Sequence, residues 1–373
     1  MTRVAYFAPL LYTGGTQRHL QQVVRHLDPR QFTVHVYTLR AGGEIADELR
    51  AAGVPVTSLD LGDRWASPRV LRGVVRAARL VRAARTDIVH GYQWRPALVG
   101  AMAGWFGGAR LVVASKRSLT GGDRPARLAW RLIAGLVDTV VANADALRRE
   151  AEADGVRARW AVIPTGVDVE RLRGGPEPAA AKAALGLDPR RPVVGTIGRL
   201  EERKGHADFL VATRAMLGLA NGLAPQALIV GDGPLRARLE RQVADLGLGE
   251  TVRFTGAVAD VRTALAAMDV FVLPSRAEGM SNALLEAMAA GRPVVATAVG
   301  GTLEAVDAER TGILVPPGDP AALAGAAVGL LADPARAAAV AGAAARQVAE
   351  RFGARQMVAR LERLYAERLE AAA

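Results

Sequence analysis

Residues 270–288 read Val270-Phe271-Val272-Leu273-Pro274-Ser275-Arg276-Ala277-Glu278-Gly279-Met280-Ser281-Asn282-Ala283-Leu284-Leu285-Glu286-Ala287-Met288. Val270–Leu273 is a short unbroken apolar run, the pattern of a strand buried on both faces. Leu284, Leu285 and Met288 then recur at helical spacing. A strand, a loop and a helix in that order belong to a parallel sheet, whose ligands bind beyond the carboxyl ends of the strands. Gly279 to Asn282 begin the helix, where backbone amides point at an anion. Glu278 precedes the helix and Glu286 lies inside it. A carboxylate repels phosphate but accepts hydrogen bonds from hydroxyls. Phosphate donors flanked by two hydroxyl-reading carboxylates describe a nucleotide-sugar site; the plainer alternative is a capped helix with one solvent-facing glutamate.

The same alternation extends in both directions. Val4–Leu10, Phe32–Leu39, Ile88–His90, Leu111–Ala114, Val137–Ala142 and Trp160–Ile163 read as strands of a first set. Val193–Ile197, Ala227–Val230, Val252–Thr255, Val270–Leu273, Pro293–Ala296 and Ile313–Val315 read as a second. Amphipathic Ala/Leu/Arg-rich stretches between them supply covering helices. Two successive α/β sets predict two doubly wound, Rossmann-like domains facing across a cleft. We expect the first over residues 1–170, a Gly/Pro/Ala-rich linker over 171–192 and the second over 193–355. A charged amphipathic helix at 356–373 follows the second sheet.

The 373 residues include no cysteine, which excludes disulfides, thiol nucleophiles and Cys-ligated zinc. Five scattered histidines without His-Glu-x-x-His speak against a histidine metal site. The apolar stretches Pro96–Ala109 and Ala321–Ala332 fall short of the ~20 residues that span a bilayer. The expectation is a cytoplasmic protein. Net charge is +11 and lies almost entirely in the first half: residues 1–180 carry 26 Lys/Arg against 16 Asp/Glu, residues 181–373 carry 22 against 21. Between Arg64 and Arg131 the count is 14 basic to 2 acidic, so an anion of some size is expected there.

Two further loops carry candidate chemistry. Tyr12-Thr13-Gly14-Gly15-Thr16-Gln17-Arg18-His19 follows the first strand, and its glycines allow close backbone approach to a ligand at a helix start. It lacks the Gly-x-Gly-x-x-Gly of dinucleotide sites. Gly198-Arg199-Leu200-Glu201-Glu202-Arg203-Lys204-Gly205 follows the first strand of the second set. There Arg199 offers a planar fork and Lys204 a point charge, a pair suited to adjacent phosphates.

In order, Gly198-Arg199-Leu200-x-x-x-Lys204-Gly205, Gly231-Asp232-Gly233-Pro234, Glu278 and Glu286 eight apart, Gly291-x-Pro293-Val294-Val295-Ala296-Thr297, Gly300-Gly301-x-x-Glu304 and Gly312-x-Leu314-Val315-Pro316-Pro317-Gly318-Asp319 resemble the retaining glycosyltransferases of family 4. The resemblance runs from first strand to last helix and is densest over 193–320. It implies the GT-B architecture, with the terminal helix crossing back onto the N-terminal domain. It implies that Arg199 and Lys204 hold the donor diphosphate, helped by Gly279, Met280, Ser281, Asn282 and the Gly14-Gly15 loop. Glu286 would read the ribose, Glu278 the transferred sugar, and Gly233, Val258 and Leu285 would complete the donor site. His90 resembles the family's histidine near the reacting centre, and Thr16, Arg18, Gln93 and Arg117 would meet the acceptor. The implied reaction is a front-face displacement without a protein nucleophile; no Asp-x-Asp is present, so neither metal nor cofactor is expected. The chain departs from the family at Ser115-Lys116-Arg117-Ser118, where relatives carry a second histidine, so that Arg117 could bind a phosphate or carboxylate on the acceptor. It departs again at Thr165-Gly166-Val167-Asp168, where we expect little consequence.

Arg69, Arg72, Arg76 and Arg79 lie within about 80° of one helix face at ~100° per residue. A solvated face is the simpler reading; attraction to anionic lipid, on the inner membrane face, is the sharper one. The stripe lacks interleaved aromatics, which argues against nucleic acid. The leading function is sugar transfer from a UDP or GDP donor to a sugar, glycoconjugate or lipid-linked acceptor. A nucleotide-sugar 2-epimerase of the same architecture and a non-catalytic nucleotide-sugar or membrane-binding module are the alternatives.

Overall fold

The computed structural model describes residues 1–12, 14–62, 67–120, 123–219 and 222–371; Thr13, Arg64 and the last two residues of the expected terminal helix lie outside them. The chain divides into two compact units, Met1–Gly166 with Ala354–Ala373, and Val167–Gly353.

The first unit is built on β1 (Thr2–Ala8), β2 (Phe32–Thr38), β3 (Val56–Ser58), β4 (Ile88–Tyr92), β5 (Leu111–Lys116), β6 (Thr139–Ala142) and β7 (Trp160–Val162). They form one parallel sheet in the order β3-β2-β1-β4-β5-β6-β7. β1 shows why an unbroken apolar run makes a central strand. Successive side chains point to opposite faces: Val4, Tyr6 and Ala8 enter one core layer, and Ala5 and Phe7 enter the other. The edge strand β3 escapes the sequence reading because its three residues are only half-buried and carry no apolar run.

The second unit contains β8 (Val193–Ile197), β9 (Gln226–Val230), β10 (Val252–Gly256), β11 (Val270–Leu273), β12 (Val294–Thr297) and β13 (Ile313–Val315). Their order is β10-β9-β8-β11-β12-β13. Both sheets therefore start at a central strand, run to one edge, and return to build the other side. The reversals, between β1 and β4 and between β8 and β11, are topological switch points, where neighbouring loops diverge and leave room for a ligand.

Residues 171–192 are not a free linker. The helices Val169–Arg173 and Pro178–Ala184 belong to the second unit, and Lys182, buried, donates to Asp269 at 2.8 Å. Alanine-rich composition between Gly and Pro reads as a linker, yet here it lets a short helix lie flat on its neighbour. The boundary falls at Gly166/Val167 rather than after residue 170. Among the described residues no single helix is long and apolar enough to cross a membrane.

The terminal helix, Ala354–Ala371, is part of the first unit. Met357, Val358, Leu361, Leu364 and Tyr365 join the core that holds Val4, Tyr6 and Ile88. Each large side chain fully buried there contributes about 1.5–3 kcal/mol. Tyr365 also supplies polar anchoring, since its hydroxyl lies 2.6 Å from His90 Nδ1 and 3.2 Å from the Tyr6 hydroxyl. Removing that hydroxyl in Tyr365→Phe leaves two buried groups short of a partner. We expect a loss of about 1–3 kcal/mol, read as a lower urea midpoint with an unchanged m-value.

Candidate active site

In the second unit the loops after β8, β9, β11 and β12 are drawn together at the carboxyl edge of the sheet. Gly205 adopts φ +67°, and a Cβ there would stand 1.9 Å from the Pro274 carbonyl oxygen. Only glycine permits both the left-handed conformation and that approach. The contact brings the end of the first loop against the start of the decisive segment, where Arg276 N donates to the Arg203 carbonyl at 2.8 Å. Gly300, at φ +47°, lies equally close to the Glu278 carbonyl oxygen.

This packing decides what the charged side chains do. Lys204 Nζ lies 2.5 Å from Glu278 Oε1, which also accepts from Ser275 Oγ at 2.8 Å. Glu278 is buried, and the Arg203 guanidinium stands 4.0 Å from its other oxygen. Lys204 and Glu278, read separately as a phosphate ligand and a hydroxyl reader, are thus one ion pair. Arg199 is different: it is exposed at the end of β8 and has no side-chain partner among the described residues. The helix Asn282–Ala289 begins shortly after Glu278, with Ser281 as N-cap accepting from Leu284 N at 3.4 Å. Glu286 is half-buried one turn in. Gly231 N donates to the Gly256 carbonyl at 2.8 Å, so the Gly233 turn and the segment bearing half-buried Val258 lie side by side.

Leu285 departs from its expected role. Its side chain is fully buried and its amide donates to the Ser281 carbonyl at 3.2 Å, so it packs the helix and has nothing left for a ligand. Met280 and Gly279 are buried too.

In the first unit a second cluster sits at the β1/β4 switch point. Gly14 is extended and precedes the helix Gly15–His26. Thr16 Oγ1 accepts from Gln93 Nε2 at 3.1 Å, and Gln93 Oε1 accepts from Ser118 Oγ at 3.2 Å. Gln93 holds φ +64°, ψ 163° at the start of the helix Trp94–Gly107. A non-glycine residue there costs about 1–3 kcal/mol, strain that gathers at functional sites. Lys116 is buried and paired with Glu150 at 2.7 Å, and it donates to the Ser118 carbonyl at 2.9 Å, fixing the loop that carries Arg117.

Two expected site residues have protein partners of their own. His90 is buried with both ring nitrogens engaged, Nδ1 with Tyr365 and Nε2 with Ser115 Oγ at 2.8 Å. Both contacts tie the His90 ring to its neighbours in the core. Arg18 Nη1 donates to Gln21 Oε1 at 2.9 Å and stands 3.6 Å from Glu48 on the helix Glu44–Ala51, so it is held within its own unit by an ion pair. The structure also adds residues that the sequence reading passed over. Thr165 Oγ1 accepts from Arg117 Nη2 at 2.9 Å and from Asn143 Nδ2 at 3.2 Å. A departure expected to change little is therefore the partner of the other. Tyr92 shares a strand face with His90, their rings stacked 4.9 Å apart, and the spacing of two along β4 was the available signal. Among the described residues no group of three or more His, Cys, Asp or Glu side chains could hold a metal ion.

The sequence model of Glycosyltransferase Family 4 matches residues 13–171, and that of Glycosyl transferases group 1 matches residues 191–333. A D-inositol 3-phosphate glycosyltransferase of Streptomyces avermitilis is 33% identical over 345 residues, 83% of this chain and 74% of that protein. The chain belongs to glycosyltransferase family 4. A 2-deoxystreptamine N-acetyl-D-glucosaminyltransferase of Streptomyces fradiae is 42% identical over 178 residues, 46% of this chain and 41% of that protein. The crystal structure of Anabaena HepE in complex with UDP-glucose has a TM-score of 0.85 at 24% identity, with 100% of both chains covered. The architecture is GT-B.

Buried histidines give this family 4 chain a pH signature. Burial lowers His90 to about 3, with Arg117 adding to the effect, and lowers His206 to about 4. His19 is likewise held well below its ordinary value by burial, then by Arg117 and His90. The unfolded chain takes up these protons near pH 6.5 while the folded chain does not. Stability is therefore complete above that pH and falls below it, by up to about 1.4 kcal/mol per pH unit for each histidine. Urea unfolding at pH 7 and pH 5 should show the loss; equal stability at both would mean that the histidines are protonated in the fold.

Proposed function

We propose that the chain is a retaining hexosyltransferase that moves a sugar from a nucleotide-diphosphate sugar to a hydroxyl of a sugar, glycoconjugate or lipid-linked acceptor. The observation that carries this reading is the cluster at the β8/β11 switch point: exposed Arg199, Lys204 on Glu278, and a helix N-terminus with Glu286 behind it. UDP is the first donor to consider, because HepE is described with UDP and UDP-glucose; GDP fits the same residues. The acceptors in the two relatives' names, 2-deoxystreptamine and D-inositol 3-phosphate, are ring polyols and support a hydroxyl-rich acceptor.

In this reading the arriving diphosphate takes Lys204 from Glu278. The carboxylate, still held by Ser275, is then free to accept from hydroxyls of the transferred sugar. Arg199, Lys204 and the amides from Gly279 to Asn282 stabilise the charge that grows as the bond from the anomeric carbon to the phosphate oxygen breaks. The acceptor oxygen bonds to that carbon on the same face, and its proton passes to the departing phosphate. Glu286 reads the ribose, and Gly233 and Val258 flank the base. Two side-chain cations supply the charge that a metal would otherwise bring, so we propose metal independence.

We propose further that the helix Pro68–Ala83 meets an anionic bilayer surface. Arg69, Arg72, Arg76 and Arg79 are all exposed, and the helix carries no acidic residue. Beside them Leu71, Val75, Trp105 and Phe106 are exposed, and Leu71, Val75 and Phe106 help line an apolar groove of about 630 Å³. Arginines beside solvent-exposed Trp and Phe match a headgroup layer over acyl chains. At about 1 kcal/mol per basic residue, four contribute on the order of 4 kcal/mol at low salt.

Five measurements test these readings. UDP-glucose, among UDP, GDP, ADP and dTDP sugars, should raise the melting temperature most, with no dependence on magnesium. Arg199→Ala should weaken donor binding by about 10- to 100-fold through loss of charge-assisted hydrogen bonds. Retained anomeric configuration in the NMR spectrum of the product would support the front-face route; inversion would end it. Sugar release without added acceptor would favour the epimerase, and binding without turnover a sensor. Co-sedimentation with phosphatidylglycerol vesicles, lost on replacing the four arginines by Gln, should establish the membrane surface; dimerisation through the same face would replace it.

A further inference from the structure

Buried cations in this chain are generally paired. Lys116 has Glu150 and Lys182 has Asp269, each at a nitrogen–oxygen distance of 2.7 to 2.8 Å. Arg117, half-buried in the loop after β5, is held differently. One of its terminal nitrogens donates to Thr165, its Nε is buried without a partner, and no carboxylate pairs with it among the described residues. Burial lowers the guanidinium to about 10, so it remains charged at neutral pH. Its side chain is half-buried, and the Nε held away from water without a partner costs free energy that a ligand acceptor would recover.

Its surroundings are unsatisfied in the same way. Tyr92 Oη, His19 Nδ1 and Asn143 Oδ1 are buried atoms with no hydrogen-bond partner. They form one cluster: Asn143 shares Thr165 with Arg117, the Tyr92 ring lies 5.6 Å from that of His19, and Arg117 is close enough to perturb both. Burial keeps the Tyr92 phenol protonated and the His19 ring neutral, so each has a hydrogen to donate, His19 from Nδ1 in one tautomer. The three donors come from the first helix, the end of β4 and the loop after β5, three elements that meet where an open α/β sheet receives a ligand.

We infer that this cluster binds a phosphate carried by the acceptor. Arg117 is the counter-ion, Tyr92 and His19 complete the oxyanion's hydrogen bonds, and Asn143 Oδ1 accepts from an acceptor hydroxyl. The acceptor class is a phosphorylated polyol, either free in solution or presented as a lipid headgroup. The assignment of the anion to an acceptor rests on the transferase reading; the anion site itself does not.

The first test is direct. Inorganic phosphate titrated into the full-length chain should raise its melting temperature, and Arg117→Gln should remove the shift while the response to UDP is unchanged. Tyr92→Phe, which deletes one oxygen, should weaken phosphate binding by about 10-fold and guards against misfolding of the arginine variant. No shift with phosphate in the wild type would overturn the proposal and leave the cluster as a hydrated polar core. The second test compares three acceptors in the transfer assay: a soluble polyol monophosphate, its dephosphorylated parent, and the same headgroup in a vesicle. A phosphorylated acceptor should be favoured by about 100-fold in kcat/KM. Arg117→Gln should erase that preference through KM, and the better of the two phosphorylated forms identifies the source. Equal use of the dephosphorylated parent would overturn the acceptor assignment. Phosphate binding without any donor binding would instead defeat the transferase reading and leave the anion site standing.

Discussion

Each unit of this protein is governed by a single topological constraint, the reversal of strand order beside its first strand. A parallel sheet needs a crossover after every strand, and the crossovers on either side of β1 or β8 fall on opposite faces. The loops at that point must diverge, and polar side chains there escape the close packing that surrounds the strands. Arg199, Lys204, Glu278 and the Ser281 cap lie around one such point. Thr16, Tyr92, Gln93 and Arg117 lie around the other. The chemistry follows the place where the sheet cannot close over itself.

At those two points the chain handles charge in opposite ways. The second unit pairs its opposite charges directly: Lys204 and Glu278 satisfy one another across 74 residues of sequence. Among the described residues the first unit gives Arg117 no carboxylate partner, and the Tyr92 hydroxyl and His19 Nδ1 near it are also unpaired.

The strands and the switch-point loops were legible because both depend on local pattern. Continuous apolar runs mark strands with two buried faces, and β8, β11 and β13 begin and end at the expected residues. The failures share a cause in tertiary context. β3 lacked a run because an edge strand need not be apolar. Residues 171–192 looked like a linker because small residues at a close helix contact resemble small residues in a loop. His90 was placed near the reacting centre by resemblance, but its partner Tyr365 is 275 residues away and no local pattern could reveal it. Arg18 was lost to Glu48 for the same reason.

The two departures from the family pattern show where residue-by-residue reading stops. Arg117 and Thr165 are 48 residues apart, and each taken singly looks like a tolerated change. Joined by a 2.9 Å hydrogen bond they act as one unit, the guanidinium donating and the threonine hydroxyl accepting. Nearby His19 and His90 are held neutral by burial. An arginine stays charged even when burial lowers it to about 10. Thr165 therefore fixes a positive charge in this corner of the fold, and Asn143 shares that hydroxyl, close to the unpaired hydroxyl of Tyr92.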